Sequence, residues 1–236
     1  TQIALGMKQA EFVAERIMPV VFTDKHGVRV PVFGKGSFVE YDTKRAVGAA
    51  SNVITLDAPN YLPIVLEEHD LAAGVDYREQ AESLFNEQAK ATRRATKGVQ
   101  LRQEIETAAL LQAKSAYQSG HTKDLAATKK WSADNSDPLA DIESARETVR
   151  AACGVRPGVL VVGASVLSQL KRNKALLASL SANDRKSLLT VEQLKNLLEL
   201  DDIIVGQAVS SVATGKPTKD VWGKFASLIV RPDLVS

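Results

Sequence analysis

The sequence is poor in the residues that form disulfides, metal clusters and aromatic cores. It has one cysteine, Cys153, so an internal disulfide and a zinc site built on several thiolates are excluded. The three histidines, His26, His69 and His121, are scattered and lack the spacing of metal ligands. Phe, Trp and Tyr make up only 5% of the residues, so the core must rest on Val, Leu, Ile and Ala.

The sequence also lacks long apolar runs and a large excess of either charge. No segment approaches the roughly 18 apolar residues that a membrane span needs, and no signal-peptide pattern is visible. The net charge of +2 is too small to draw the whole molecule to nucleic acid, although a basic face is still possible locally. The composition is ordinary for a folded soluble protein, and 236 residues suffice for one large domain or two small ones. Without a visible signal peptide, synthesis in the cytoplasm is the default expectation.

The first 75 residues predict extended structure with little core. A short amphipathic stretch begins at Phe12 and should end near Met18, because Pro19 follows. Large apolar side chains are sparse in residues 34–75, which predicts a long two-stranded excursion that is marginal alone and lies on another surface. The predicted strands are 20–22 and 28–33, joined by a turn at 24–27, then 38–41, 52–56 and 61–66.

Residues 76–118 contain no proline and a single glycine, Gly98, and their apolar residues recur at helical spacing. This predicts one helix of about 40 residues, about 60 Å long, with Gly98 as the expected point of a kink or split. Asp76 is the predicted N-cap, with Glu79 completing a capping box, and residues 119–120 end the helix. The predicted buried stripe is Ala81, Leu84, Phe85, Gln88, Ala95, Val99, Ile105 and Ala108.

Residues 138–236 predict a compact α/β unit after a polar loop that carries Trp131. Asp137 should cap a helix that opens on Pro138 and ends at Gly154. The predicted buried stripe of this helix is Ile142, Ala145, Val149 and Ala152. The apolar run 159–162 is typical of a strand covered on both faces, with further helices predicted at 165–173 and 191–198 and strands at 202–205 and 225–230.

Several residues are candidates for chemical sites, and each has a simpler structural explanation. Gly163 and Ser165 follow a strand as in a dinucleotide-binding turn, but two of the three glycines of that motif are missing, so an ordinary strand-to-helix turn is favoured. Cys153 is expected to be buried and inert. Asp134, Asp137 and Asp141 are candidates for paired carboxylates, but helix capping and the helix dipole explain Asp137 and Asp141 better. Ser132 and Ser136 are candidates for a triad with the histidines, but the sequence lacks a nucleophile-elbow motif. We therefore predict no catalytic, cofactor-binding or metal-binding residue.

Five local motifs and their order resemble one family. An arm, a long hairpin, a long helix and an α/β domain follow one another, as in the major capsid (head) proteins of tailed bacteriophages, whose fold is called HK-ninety-seven-like. The motifs are FVAERIMPVV at 12–21, WSADNSDPLADI at 131–142, RPGVLVVG at 156–163, DIIVG at 202–206 and VWGK at 221–224. The resemblance covers nearly the whole chain, and the order and spacing of the motifs make it specific.

The resemblance implies an α+β fold with named parts. Residues 1–30 would be the N-terminal arm, 31–75 the extended β-hairpin loop, and 76–137 the peripheral domain with its long spine helix. Residues 138–236 would be the axial domain and a return strand of the peripheral domain. Relatives continue with more strands after VWGK, so the C-terminal portion is expected to be either missing from this chain or unusually short.

The resemblance also implies a function, which is assembly rather than catalysis. The chain would self-assemble, through pentamers and hexamers, into an icosahedral head around the double-stranded DNA genome, with scaffold, portal and decoration proteins as further partners and no membrane or cofactor. It would be found in the virion after assembly in the bacterial cytoplasm. The alternatives are an encapsulin-like shell around cargo enzymes and, from a different class, an α/β enzyme that uses residues 138–236.

Two groups of basic residues gain meaning from the resemblance. A solvated helix face is the favoured explanation for a basic cluster on the long helix, and weak, salt-screened contact with packaged DNA is the alternative. That cluster is Lys90, Arg93, Arg94, Lys97 and Arg102. Lys35 and Lys44 lie in the proposed extended loop, which some relatives crosslink to a neighbour, but exposed edge lysines are ordinary and no crosslink is predicted.

Overall fold

The computed structural model describes residues 11–32, 38–54, 60–180, 188–213 and 215–231. The chain forms two compact units, one of Thr1–Val20 with Asp70–Ser236 and the other of Val21–His69. Among the described residues, no helix is both long enough and apolar enough to cross a membrane. Parts of the predicted strands at 33 and 55–56 fall outside the described ranges.

The smaller unit is built around one antiparallel pair of strands, β1 (Gly27–Val32) and β2 (Asn60–Val65). Val28 lies opposite Ile64, and Val30 lies opposite Leu62. An extended two-stranded ribbon is therefore present, but only its second strand lies within the predicted excursion of residues 34–75. The predicted pairing of 20–22 with 28–33 is wrong, because the partner of β1 comes from the far end of the excursion, and the described parts of 20–22, 38–41 and 52–54 are not strands.

The long helix is broken. It comprises α2 (Tyr77–Glu82) and α3 (Glu87–Gln112), so the prediction of one helix through residue 118 is wrong. Asn86 caps α3 by accepting a hydrogen bond from the Ala89 N–H (2.9 Å). Short polar side chains at 83 and 86 offer the backbone an alternative to helical bonding, and this stops α2 without proline or glycine.

The predicted cap, glycine position and buried stripe of the long helix agree only in part with the structure. Asp76 caps α2 as predicted, but it accepts from the Arg78 N–H (2.8 Å) rather than from the residue that a capping box requires. Gly98 does not split α3, which runs without a break from Glu87 to Gln112. A Cβ at residue 98 would lie 2.4 Å from the Leu71 side chain, so the glycine makes room for that neighbour. Within the predicted stripe, Ala108 is buried and Ala95 and Ile105 are half-buried, whereas Ala81, Leu84, Phe85, Gln88 and Val99 are exposed.

The larger unit holds a three-stranded sheet of order β4-β3-β7. β3 (Val159–Gly163) runs parallel to β4 (Asp202–Gly206) and antiparallel to β7 (Ala226–Ile229). Leu160 and Val162 enter one apolar core, while Val159 and Val161 enter another on the opposite face. The prediction of a strand covered on both faces is therefore confirmed. A short pair of strands, β5 (Val209–Ser210) and β6 (Lys219–Asp220), follows β4.

Four helices cover the first face of this sheet. They are α4 (Pro138–Cys153), α5 (Ala164–Leu170), α6 (Lys174–Ala178) and α7 (Val191–Leu197). Asp137 caps α4 and Gly154 ends it in the left-handed conformation (φ 74°), as predicted. The predicted helix 165–173 corresponds to α5, which ends at Leu170, and Asn173 then caps α6, a helix that was not predicted.

The predicted stripe of α4 is partly wrong. Ala145 is exposed, and Arg146 is buried in its place. The Arg146 guanidinium donates to the carbonyl oxygens of Leu198 (3.2 Å) and Glu199 (3.0 Å), at the end of α7. Those carbonyls have no partner within their own helix, so the arginine satisfies them, which an apolar residue at this position would not do.

Glycines at the ends of β3 and β4 allow a close approach by the segment around Trp222. A Cβ on Gly206 would lie 2.1 Å from Cγ of the Trp222 indole. A Cβ on Gly163 would lie 2.5 Å from the carbonyl oxygen of Gly223. Trp222 is almost wholly buried and belongs to the second core, so both strand ends are shaped to receive it.

Gly206→Ala should lower the free energy of unfolding by about 1–3 kcal/mol, because the added methyl group overpacks the indole of Trp222. Gly74→Ala is the matched control, since a Cβ there meets nothing within 4 Å. Urea unfolding of both variants tests this. Equal midpoints for the two variants would show that the contact with Trp222 does not constrain residue 206.

Candidate functional site

The hairpin of β1 and β2 carries an apolar face. Side chains alternate across a strand, so the register places one set of residues on the same side of the ribbon. The apolar members of that set, which we call the apolar face of the hairpin, are Val28, Val30, Val32, Leu62 and Ile64, and its one polar member is Asn60 opposite Val32. Among the described residues of 21–69, every residue except Val28 is exposed. A two-stranded ribbon is marginally stable alone, and this one has no core to support it.

The N-terminal arm, by contrast, is anchored in the larger unit. Helix α1 (Ala14–Ile17) has only four residues, too few to be stable alone. Val13, Ala14 and Ile17 are buried, and Val13 and Ile17 join the second core. The prediction that the first 75 residues have little core is therefore wrong for this segment.

A buried carboxylate fixes the arm. Glu104 of α3 accepts hydrogen bonds at Oε2 from the backbone N–H groups of Val13 (3.0 Å) and Ala14 (2.8 Å). Its Oε1 accepts from the Trp222 indole Nε1 (2.5 Å). Glu104 is fully buried, so these three donors replace the water that its carboxylate loses. Arg16 adds an ion pair with Asp202 (3.0 Å) at the surface.

The motif around Trp131 is a structural network. The Trp131 indole donates to Asp141 (3.0 Å), and the Asn173 amide donates to the Trp131 carbonyl (3.0 Å) and to the Ser136 hydroxyl (2.8 Å). Ser136 in turn donates to the Ala133 carbonyl (2.6 Å). The buried serine is thereby fully engaged in holding the loop onto the start of α6.

The acidic residues of this motif do not converge on one point. Asp137 caps α4 through the Ala140 N–H (3.1 Å). Asp141 receives Lys123 (2.7 Å) as well as Trp131, and Asp134 pairs with Lys174 (2.9 Å). In the part of the chain that the structure describes, no group of three His, Cys, Asp or Glu residues is placed to hold a metal ion.

The remaining candidates have structural roles or lie on the surface. Gly163 leaves room for the backbone of residues 222–223, and this packing explains the glycine at the end of β3 without a dinucleotide-binding role. Ser165 is half-buried in α5. Cys153 is exposed, so its predicted burial is wrong; it is the last residue of α4 and turns away from the core. Ser132 and the histidines His26, His69 and His121 are exposed as well.

Two surface carboxylates have lowered pKa values. Hydrogen bonds from the Ser83 hydroxyl and then from Lys90 hold the pKa of Glu87 below its usual range. A hydrogen bond from Arg150, with Arg156 adding to it, does the same to the pKa of Glu147. Both acids therefore stay ionised at neutral pH, and each belongs to a surface ion pair of small energetic effect.

The basic cluster of the long helix separates into two parts. At about 100° per residue, four of its members fall within an arc of about 100° on α3, and Arg102 lies about 130° from the middle of that arc. We call the four the basic face of α3: Lys90, Arg93, Arg94 and Lys97, all exposed. Arg102 instead pairs with Glu106 (2.6 Å). In the proposed extended loop, Lys44 is exposed and Lys35 lies outside the described residues.

Glu104→Gln should lower the free energy of unfolding by about 1–3 kcal/mol, because an amide cannot accept all three hydrogen bonds and leaves a buried donor unpaired. In a Trp131→Phe background, Trp222 is the one remaining tryptophan, and its emission should shift to the red as water enters. Glu106→Gln, two residues away on the surface, is the control and should change little. Identical urea midpoints for the two variants would contradict the anchoring role.

Comparison with known proteins identifies relatives over nearly the whole chain, although no family model matches it. The major capsid protein of Burkholderia phage BcepMu is 40% identical over 223 residues, which are 94% of this chain and 72% of that protein. The major capsid protein of Pseudomonas phage JBD67 is 26% identical over 250 residues, covering 99% of this chain and 76% of that protein.

A solved structure agrees with these sequences. The crystal structure of a phage-related protein from Bordetella bronchiseptica RB50 matches with a TM-score of 0.75 and 25% identity, over 97% of this chain and 75% of that one. The predicted α+β fold class and the resemblance to phage head proteins are thereby confirmed. With 40% identity across almost its entire length to one of them, the chain belongs to the major capsid proteins of bacteriophages.

Proposed function

We propose that this chain is the shell subunit of an icosahedral bacteriophage head, which encloses the double-stranded DNA genome of a tailed phage. Its work is self-association, and it carries no catalytic role. The capsid proteins among its relatives support the shell role. The observation that carries the mechanism is the apolar face of the hairpin, whose residues Val30, Val32, Leu62 and Ile64 are between 38% and 54% exposed.

Differential burial is the proposed mechanism. Apolar surface contributes about 25 cal/mol for each Å² removed from water, so a ribbon without a core gains most when a neighbouring subunit covers it. Each contact is modest in energy. Because every subunit in a closed shell makes several such contacts at once, assembly depends steeply on protein concentration.

We assign the parts of the chain as in other head proteins. Residues 1–30 form the N-terminal arm, 31–75 the extended loop, 76–137 the peripheral domain with its spine helix, and 138–236 the axial domain with a return strand. The division of the chain into Val21–His69 and the remainder supports a separate extended loop. Head maturation would move such parts as rigid bodies about hinges.

The proposed partners are copies of the chain in pentamers and hexamers, with scaffold, portal and decoration proteins. Assembly takes place in the bacterial cytoplasm without a membrane, and the product is the virion. The encapsulin-like nanocompartment is the weaker candidate, because the named relatives are capsid proteins of phages. The α/β enzyme is weaker still, because the residues considered as chemical sites between 132 and 165 serve the fold or lie apart on the surface.

Leu62→Lys should prevent shell formation, because a charge on the apolar face cannot be buried against a neighbour without a large desolvation cost. Tyr61→Lys is the matched control: Tyr61 is on the opposite face of the same strand and is 57% exposed, against 54% for Leu62. Purified protein, alone and with its scaffold, is examined by negative-stain electron microscopy and by sedimentation.

Wild-type protein and the Tyr61→Lys variant should give closed particles, and Leu62→Lys should give free subunits with an unchanged melting temperature. Particles from Leu62→Lys would overturn the role of the apolar face. Persistent wild-type monomers or small oligomers under all conditions would overturn the shell function itself.

A further inference from the structure

We infer that the basic face of α3 binds nucleic acid through its phosphate groups. The inference rests on the proposed function for its biological setting, because a phage head encloses a genome. The isolated subunit would bind DNA even without assembling into a shell.

The geometry suits a row of phosphates. Lys90 and Lys97 are seven residues apart, so the face extends for about 10 Å along the helix axis, which is about three steps of one DNA strand. Arg93 and Arg94 lie between them and bring planar guanidinium groups that bind phosphate in a bidentate manner. Four cations in two turns form a local positive patch on a chain whose net charge is only +2.

The charge of this face is largely uncompensated. Glu87 pairs with Lys90 (3.1 Å) at one end. Among the described residues, none forms an ion pair with Arg93, Arg94 or Lys97. A solvated surface helix usually interleaves both signs, as α4 does where Glu147 binds Arg150 (2.7 Å). An unpaired run of one sign indicates a partner of the opposite sign outside the subunit.

A polyanion fits this face better than a protein surface does. Protein interfaces are centred on apolar and aromatic side chains, and from residue 90 to residue 97 the arc carries only cations. The opposite side of α3 is already in use, because Ala91, Ala95 and Val99 line a shallow cleft with Leu71. What remains free on this stretch of the helix therefore recognises charge, without reading base sequence.

The test is salt-dependent binding of the full chain to a fluorescent DNA duplex of about 30 base pairs, measured by anisotropy between about 50 and about 200 mM NaCl. The test variant combines Arg93→Gln, Arg94→Gln and Lys97→Gln, which remove charge but keep helix propensity. The control combines Lys130→Gln, Lys216→Gln and Lys219→Gln, exposed lysines elsewhere that remove the same charge. Polyglutamate replaces the duplex in a parallel arm.

Wild type and control should bind the duplex with the same salt slope, and the test variant should reduce that slope by about 2 to 3 and the low-salt affinity by more than about tenfold. An unchanged slope for the test variant, or an equal loss in the control, would overturn the inference. So would wild-type binding of polyglutamate as tight as that of DNA and lost in the test variant, because the partner would then be an acidic protein surface.

Electron microscopy of the same variants separates this inference from the shell function. Closed particles from the test variant, together with lost DNA binding, support the inference. If the test variant fails to form particles but binds DNA as wild type does, the basic face is a contact between subunits and the inference fails while the shell function stands. If wild-type protein never forms particles, the shell function fails whatever the DNA measurement gives.

Discussion

The larger unit depends on one buried carboxylate. Glu104 lies on α3 and joins three segments that are far apart in sequence: the start of α1, the middle of the long helix, and Trp222 beside the sheet. A carboxylate suits this position because each of its oxygens accepts more than one hydrogen bond, and the donors that meet it are two backbone N–H groups and an indole. An apolar residue of similar size would leave all three donors buried without partners.

The surroundings of Trp222 follow from the same constraint. The indole that reaches Glu104 lies against Gly206 at the end of β4, and the backbone of residues 222–223 lies against Gly163 at the end of β3, where any side chain would occupy the same space. Glycine at 163 and at 206 removes that obstacle. Three motifs that looked independent in the sequence, those ending in Gly163 and Gly206 and the one containing Trp222, are therefore parts of a single packing arrangement.

Local signals predicted local structure well. The caps of α4, its left-handed glycine end and the doubly covered strand β3 depend on residues within a few positions of one another, and the sequence shows them directly. The family resemblance, which also came from the sequence, was confirmed by the relatives. The length of the long helix was harder to predict. The break between α2 and α3 depends on Ser83 and Asn86, whose preference for caps is too weak to recognise inside a pattern of helical spacing.

Long-range partners explain the other misses. Arg146 sits where α4 was expected to present alanine, because the carbonyls of α7 need a donor there, and no pattern within α4 indicates that. Glu104 could not be distinguished in the sequence from the other glutamates of the same helix, because its three hydrogen-bond donors are distant along the chain. The pairing of β1 with β2 spans an intervening segment of more than twenty residues, and the nearer candidate at 20–22 was the more obvious choice on loop length alone.

The two units differ in how much of their apolar surface is buried. The larger unit has two apolar cores and a buried carboxylate that accepts three hydrogen bonds. The smaller unit has an ordered strand register, but among its described residues none is buried, so its apolar face is exposed in the isolated chain. Because the arm helix α1 is fixed inside the larger unit, the chain that enters the hairpin starts from an anchored point at one end. In the shell proposed above, the hairpin would gain contact energy on assembly while the two apolar cores of the larger unit stay folded.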